Sequence, residues 1–193
     1  MNIKLIFTEP LLGTCPGNKD VATEFILSKR PEGIADDEAA AMVSNEQAVE
    51  NASTIFARTS DGGLILWDYQ IKGFFKDACS MMKRVPGSLS LKLKAHKKVI
   101  DGLVFIKPRQ IPISVIGKVE ILERPLRAQT AQGERMALAR SEMIAAGSSI
   151  EFEIIILDPG LGESIGEWLD YGALRGLGQW RNASYGRFNY EMQ

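Results

Sequence analysis

The sequence predicts an α+β fold, an antiparallel sheet carrying helices on one face. Three observations predict it. Several strand-length runs show apolar alternation, two or three segments place apolar residues at helical spacing, and those helices interrupt the strands along the chain. A ferredoxin-like core with insertions fits this order. The 193 residues suffice for one good hydrophobic core and are short for two, so one domain over residues 1–193 is expected.

Asn2–Glu9 reads as a first strand, stopped by Pro10 and the turn-like stretch Gly13–Gly17. Val21–Ser28 reads as a second. An acidic, alanine-rich stretch follows, in which Asp36 or Asp37 can cap a helix running to about Ala48. Residues 30–62 therefore look like an insertion or a surface helix. Thr54–Arg58 and Leu64–Leu66 flank Ser60-Asp61-Gly62-Gly63, and Asp-Gly between apolar runs is a hairpin signal. Tyr69–Arg84 is the clearest helix, with Ile71, Phe74, Phe75, Ala78, Met81 and Met82 on one face and Pro86-Gly87 ending it. A shorter basic helix is expected over Leu91–Ile100, then strands over Leu103–Ile106 and Ser114–Leu122. Arg135–Met143 and Ser149–Leu157 are expected as a strand pair around Ala145-Ala146-Gly147. A short helix over Ile165–Leu169, a glycine-rich tail over residues 172–188 and a last strand over Arg187–Glu191 complete the chain.

Composition removes several classes. Hydrophobic residues make up 45% and charged residues 24%, the balance of a globular protein rather than a disordered or collagen-like one. The longest apolar runs, such as Ile154–Leu157, are far too short to span a bilayer. Met1–Phe7 lacks the length and cleavage site of a signal peptide, so a soluble, cytoplasmic protein without a membrane partner is expected. Cys15 and Cys79 read as reduced thiols; there is no CxxC, and with His96 as the one histidine a His-rich metal site is excluded. No metal and no cofactor is expected.

The net charge of −1 conceals an uneven distribution. Residues 1–71 carry −6, residues 72–109 carry +8 and residues 110–193 carry −3. Segmental charge governs polyanion binding more than the total does. The basic segment holds Lys72, Lys76, Lys83, Arg84, Lys97 and Lys98, a candidate phosphate-binding surface that also reads as a solvated helix face. Gly172–Phe188 concentrates glycines, arginines and aromatics. Gly176 and Gly178 let backbone N–H groups approach a phosphate. Arg175, Arg181 and Arg187 supply bidentate phosphate contacts, and Trp180 and Tyr185 can stack on unpaired bases. The same composition fits a structural loop whose glycines make turns and whose aromatics pack inward. Glu123–Arg127 with Ala128–Glu134 reads as a binding loop or as a plain hairpin connection. His96 is the one catalytic candidate, as a general acid or base; it also reads as a surface or packed histidine. The carboxylates Asp68, Asp77, Asp101, Asp158 and Asp170 are scattered and form no metal-binding spacing.

Ala139–Ile154, reading ARSEMIAAGSSIEFEI, resembles the R-x-E-x-[VI]-x-A-G-[ST]-x-F-x-F-E-I stretch of the RAMP superfamily, the CRISPR-associated RNA-binding proteins, and most of all their backbone subunits. Gly172–Phe188 resembles that superfamily's C-terminal glycine-rich loop, and Tyr185-Gly186-Arg187-Phe188 its G-[YF]-G-[RK]-[VF] ending. Trp67–Lys76 resembles its S-S-x-K-G-x-[LF]-R helix start. The resemblance covers roughly residues 64–85 and 135–190. It implies a modified RRM-like, ferredoxin-like fold and RNA-backbone binding, with phosphate contacts from Lys72, Lys76, the Gly176–Arg181 loop and Arg187.

Three functions compete on the sequence. The first is a non-catalytic binder of single-stranded RNA, in or directed at a CRISPR-like defence assembly. The second is a phage or mobile-element protein that mimics a defence subunit or traps a nucleotide signal. The third is a metal-independent ribonuclease using His96. Expected partners are RNA or another nucleotide ligand, together with protein partners in a multi-subunit complex or copies of the chain itself.

Overall fold

The computed structural model of the chain describes residues 1–16, 54–130 and 133–192. The expected strand Val21–Ser28 and the expected helix from Asp36 or Asp37 to about Ala48 lie outside these residues. Twelve strands are described: β1 (Asn2–Phe7), β2 (Leu11–Leu12), β3 (Cys15–Pro16), β4 (Thr54–Ile55), β5 (Ala57–Arg58), β6 (Leu64–Trp67), β7 (Val104–Lys107), β8 (Gln110–Ser114), β9 (Glu120–Thr130), β10 (Gly133–Ile144), β11 (Ser149–Ile156) and β12 (Phe188–Met192). Three α-helices join them: α1 (Asp68–Met82), α2 (His96–Leu103) and α3 (Gly162–Arg175).

The main sheet runs β12-β1-β11-β8-β6-β5, with β7 also paired to β11. Its pairs are antiparallel. Taking β7 and β8 as two halves of one strand, the chain passes β1, α1, β7/β8, β11, α3, β12, and the strands lie in the order fourth, first, third, second. That is the split βαβ plan of the ferredoxin-like fold. The α+β class expected from the sequence is therefore the class of the structure. Alternation explains the sidedness. Ile3, Leu5 and Phe7 of β1 and Ile150, Phe152 and Ile154 of β11 are buried, whereas Glu151 and Glu153 point to the open face. The buried residues share one core with Phe74, Phe75 and Ile71 of α1 and Ile165, Trp168 and Leu169 of α3. Phe74 meets Phe188 edge-on at 6.0 Å, and Phe75 meets Trp168 at 5.6 Å.

A second sheet, β2-β10-β4-β3 with β9 on β10, is built on the long β9–β10 hairpin. Its junction with the main sheet is polar. The Glu142 carboxylate accepts from Arg58 Nη2 at 2.5 Å and from the Phe56 N–H at 2.8 Å. Arg58 Nη1 donates to the Phe56 carbonyl at 3.1 Å. A further buried polar knot holds α3 to the turn after α1. Glu167 accepts from the N–H groups of Leu89 and Ser90 and from the Ser90 hydroxyl, which in turn accepts from Trp168 Nε1 at 2.9 Å.

Several expectations need correcting. Residues 135–143 and 149–157 are not a pair: β10 and β11 lie in different sheets. Leu91–Ile100 is not one helix but a 3-10 turn, Leu89–Lys92, followed by α2; Ala95, at φ +49°, breaks the path between them. Ser114–Leu122 divides at Gly117, whose φ of +78° turns the chain from β8 into β9. The helix expected over Ile165–Leu169 spans fourteen residues, Gly162–Arg175, its glycines tolerated because one face packs in the core. Met81 leaves the apolar face of α1, at 39% exposed. The hairpin around Asp61-Gly62 stands as read, with Ala57 opposite Ile65 and the Thr59 N–H bonded to Gly63 O at 2.9 Å.

Candidate nucleic-acid interface

The glycine-rich stretch is a tight loop returning from α3 to β12. Gly176 caps α3 at φ +87° and Gly186 sits at φ +72°. A β-carbon on Gly176 would collide with the Tyr185 carbonyl, and one on Gly186 with the Leu177 carbonyl. Only glycine permits the two arms to close, and they are joined by Leu177 N–H to Gly186 O at 2.9 Å. The Gly186 N–H bonds Pro10 O at 2.8 Å, which lays the loop on the start of β2.

Its tip holds a 3-10 turn, Arg181–Ala183, between two non-glycine residues of left-handed conformation, Trp180 at φ +51° and Ser184 at φ +71°. Trp180 stacks on Tyr185 with 5.0 Å between centroids and 14° between planes, and remains 41% exposed. The Arg124 guanidinium of β9 lies 4.3 Å from the centre of a Trp180 ring. Its Nε and Nη1 are buried there without a hydrogen-bond partner among the described residues. Residue spacing gave no means of finding Arg124's place, since it meets Trp180 across 56 positions; the only hint was a basic residue in the Glu123–Arg127 stretch.

Arg181 reaches the other way and bonds Asp77 of α1 at 2.6 Å. Thr14, Gln70, Gly73, Asp77, Gly178 and Arg181 line a cleft of about 220 Å³ between loop and helix. Gln70 holds its mouth, accepting from the Trp67 N–H at 2.7 Å and donating to Thr14 Oγ1 at 2.5 Å. At the N-terminus of α1, the Asp68 N–H is bonded to Arg109 O at 2.9 Å. Burial holds the Asp68 carboxyl above the usual carboxylate range, against the opposing pull of the Tyr69 N–H and of Arg109.

The structure thus joins the glycine-rich loop to α1, but not to the lysines expected there. Lys72 and Lys76 lie on the flank of α1 that faces α2 and β7. Lys76 is ion-paired with Asp101, and Lys72 donates to the Asp101 carbonyl at 3.3 Å with its ammonium 4.8 Å from the Phe105 ring centre. Lys83 donates to Leu93 O at 2.9 Å. Arg84, Lys97 and Lys98 are exposed, as are Lys92 and Lys94. Arg175 donates to Asn182 Oδ1 at 2.5 Å, bracing the loop, while Arg187 is exposed beside it.

His96 stands beside Lys83 and Lys97, and burial first, then those cations, lower its pKa below the ordinary value. Among the described residues no group of three His, Cys, Asp or Glu side chains could hold a metal. The Cys15 thiol is pushed up to about 11 by burial and is inert, as buried thiols are. The open sheet face carries a hollow of about 580 Å³ lined by Lys4, Lys107, Glu151, Glu153 and Glu191, more carboxylates than cations. Among the described residues no helix is long and apolar enough to cross a membrane.

No known family profile matches the sequence, and no curated protein matches it. One chain of the cryo-EM structure of the type III-B Cmr-beta bound to cognate target RNA is similar in structure, with 13% identity and a TM-score of 0.49. The match covers 99% of this chain and 58% of that one, so this chain spans little more than half its length. The fold assignment rests on the strand order and register given above.

Proposed function

We propose that this chain is a RAMP-type RNA-binding protein that holds the backbone of a single strand without cleaving it, in or directed at a CRISPR-like defence assembly. The observation carrying this reading is the tip of the glycine-rich loop. Trp180, exposed and stacked on the half-buried Tyr185, the Arg124 guanidinium lying against that tryptophan, and the exposed Arg187 all belong to or touch a loop held in unfavourable backbone geometry. Backbone strain of this kind persists where surrounding structure enforces it, and clusters at ligand sites. Aromatic faces accept any base, and guanidinium groups accept phosphate, so the combination suits a strand bound without sequence readout. Arg84, Lys97 and Lys98 add further exposed positive charge. Capture of a small nucleotide is the weaker reading, because the cleft of about 220 Å³ falls below the ~300–1,000 Å³ of ordinary small-ligand sites.

The test begins with the 260/280 nm absorbance ratio of the purified protein and mass analysis of extracted nucleic acid. Binding of a labelled single-stranded RNA is then followed against salt. Arg124→Gln and Arg187→Gln should each weaken binding and flatten the slope of log K against log salt by ~0.7 for each phosphate no longer neutralised. A protein free of nucleic acid and indifferent to RNA at low salt would overturn the reading.

A further inference from the structure

β12 is an edge strand. It pairs with β1 on one side, and among the described residues no strand pairs with the other. Its sequence, Phe188-Asn189-Tyr190-Glu191-Met192, has no proline and a single charge, so it lacks the usual devices that blunt an open edge. Beside this edge runs a groove of about 660 Å³ between β12, α3 and the end of α1. Its apolar lining includes Leu89, Tyr171, Leu174, Tyr190 and Met192. Leu174 is 73% exposed and Met192 48%. Glu163 and Asp170, both exposed, line it along α3, and Gly166 lies between them with open space where a side chain would stand. On the opposite face of β12, Glu191 lies in the same acidic hollow as Glu151 and Glu153.

We infer that this edge and groove dock an extended segment of a partner polypeptide in which apolar residues alternate with Lys or Arg. The segment adds to β12 as a further antiparallel or parallel strand, its backbone satisfying the open edge. Period-two alternation sends its apolar side chains over Tyr190 and Met192 toward Leu174, and its cations toward Glu191. Glu163 attracts a basic residue flanking the apolar anchors, while Asp170 accepts from the Tyr190 hydroxyl at 2.6 Å and holds that ring at the groove's edge. The carboxylates on both sides of the strand repel nucleic acid, so this surface is separate in chemistry from the glycine-rich loop. RNA and polypeptide can be held at once.

The probe is a labelled octapeptide of alternating leucine and lysine, its binding read by fluorescence anisotropy on the full chain. Controls are a block-sequence peptide of the same composition, a leucine–glutamate analogue, and the probe with alternate amides N-methylated. Binding should be lost with each control. It should weaken about tenfold in Leu174→Lys, the loss expected for one interface anchor, while RNA affinity is unchanged. Leu174 is largely solvated, so that variant keeps the fold; Glu163→Lys provides a second. Equal binding of the block-sequence or N-methylated peptide, or no effect of Leu174→Lys, would overturn the inference. So would a sedimentation result in which the wild type is a dimer that Leu174→Lys dissociates, since a second copy would then be the occupant.

Discussion

Replacing Glu142 by glutamine tests the join between the two sheets. The Glu142 and Arg58 side chains are 3% and 11% exposed, and their charged atoms meet at 2.5 Å. Glutamine keeps an acceptor for the Phe56 N–H, so the backbone hydrogen bond at 2.8 Å can survive. What it removes is the counter-charge, leaving a guanidinium in a site almost closed to water. Breaking a buried pair by removing one partner costs about 3–5 kcal/mol, mostly the penalty of the stranded charge. At roughly 2–4 °C per kcal/mol for a chain of this size, the melting temperature should fall by about 6–20 °C. A second variant separates the stranded charge from the missing attraction. Arg58→Met with Glu142→Gln removes both ions while keeping the acceptor for the Phe56 N–H, and neutral replacement of a buried pair is often near neutral in stability. Urea unfolding of the wild type, both single variants and the double variant gives the coupling energy directly. Glu142→Gln losing less than about 1 kcal/mol would refute the stranded-charge account, as would a double variant no more stable than Glu142→Gln.

Other outcomes follow from the same geometry. Gly186→Ala should destabilise by more than about 1 kcal/mol and weaken RNA binding, because its β-carbon meets the Leu177 carbonyl at a positive φ; thermal melting and anisotropy read both. Ser90→Ala should cost about 1–3 kcal/mol in urea unfolding, since Trp168 Nε1 is left buried without an acceptor. Trp180→Ala should lower affinity for single-stranded RNA by about 1–3 kcal/mol without moving the unfolding midpoint much, the value of one stacked base. The lone histidine allows a clean pH test. Its folded pKa lies below the ordinary 6.5, so the unfolded chain binds the proton first, and stability should fall as pH drops through 6.5. His96→Gln should flatten that segment of the urea-midpoint profile.

What the chain encodes locally could be read without its fold. Alternation in Asn2–Phe7 and Ser149–Ile156 and the helical spacing of Ile71, Phe74, Phe75 and Ala78 were each visible, because burial of one face imposes its period on the chain. Gly176, Gly178, Trp180 and Tyr185 were singled out in one loop for the same local reason. Pairing partners were not visible. Period two names the buried face of a strand but not its neighbour, so 135–143 and 149–157 looked like a hairpin although β10 and β11 belong to different sheets. Charge was equally ambiguous. Lys76 and Arg181 read as free cations until the fold set Asp101 and Asp77 against them, the second across 104 positions. The tertiary structure likewise brought Arg124 onto Trp180 and Glu142 onto Arg58. Such contacts depend on where a chain returns in space, and no residue-by-residue propensity carries that information.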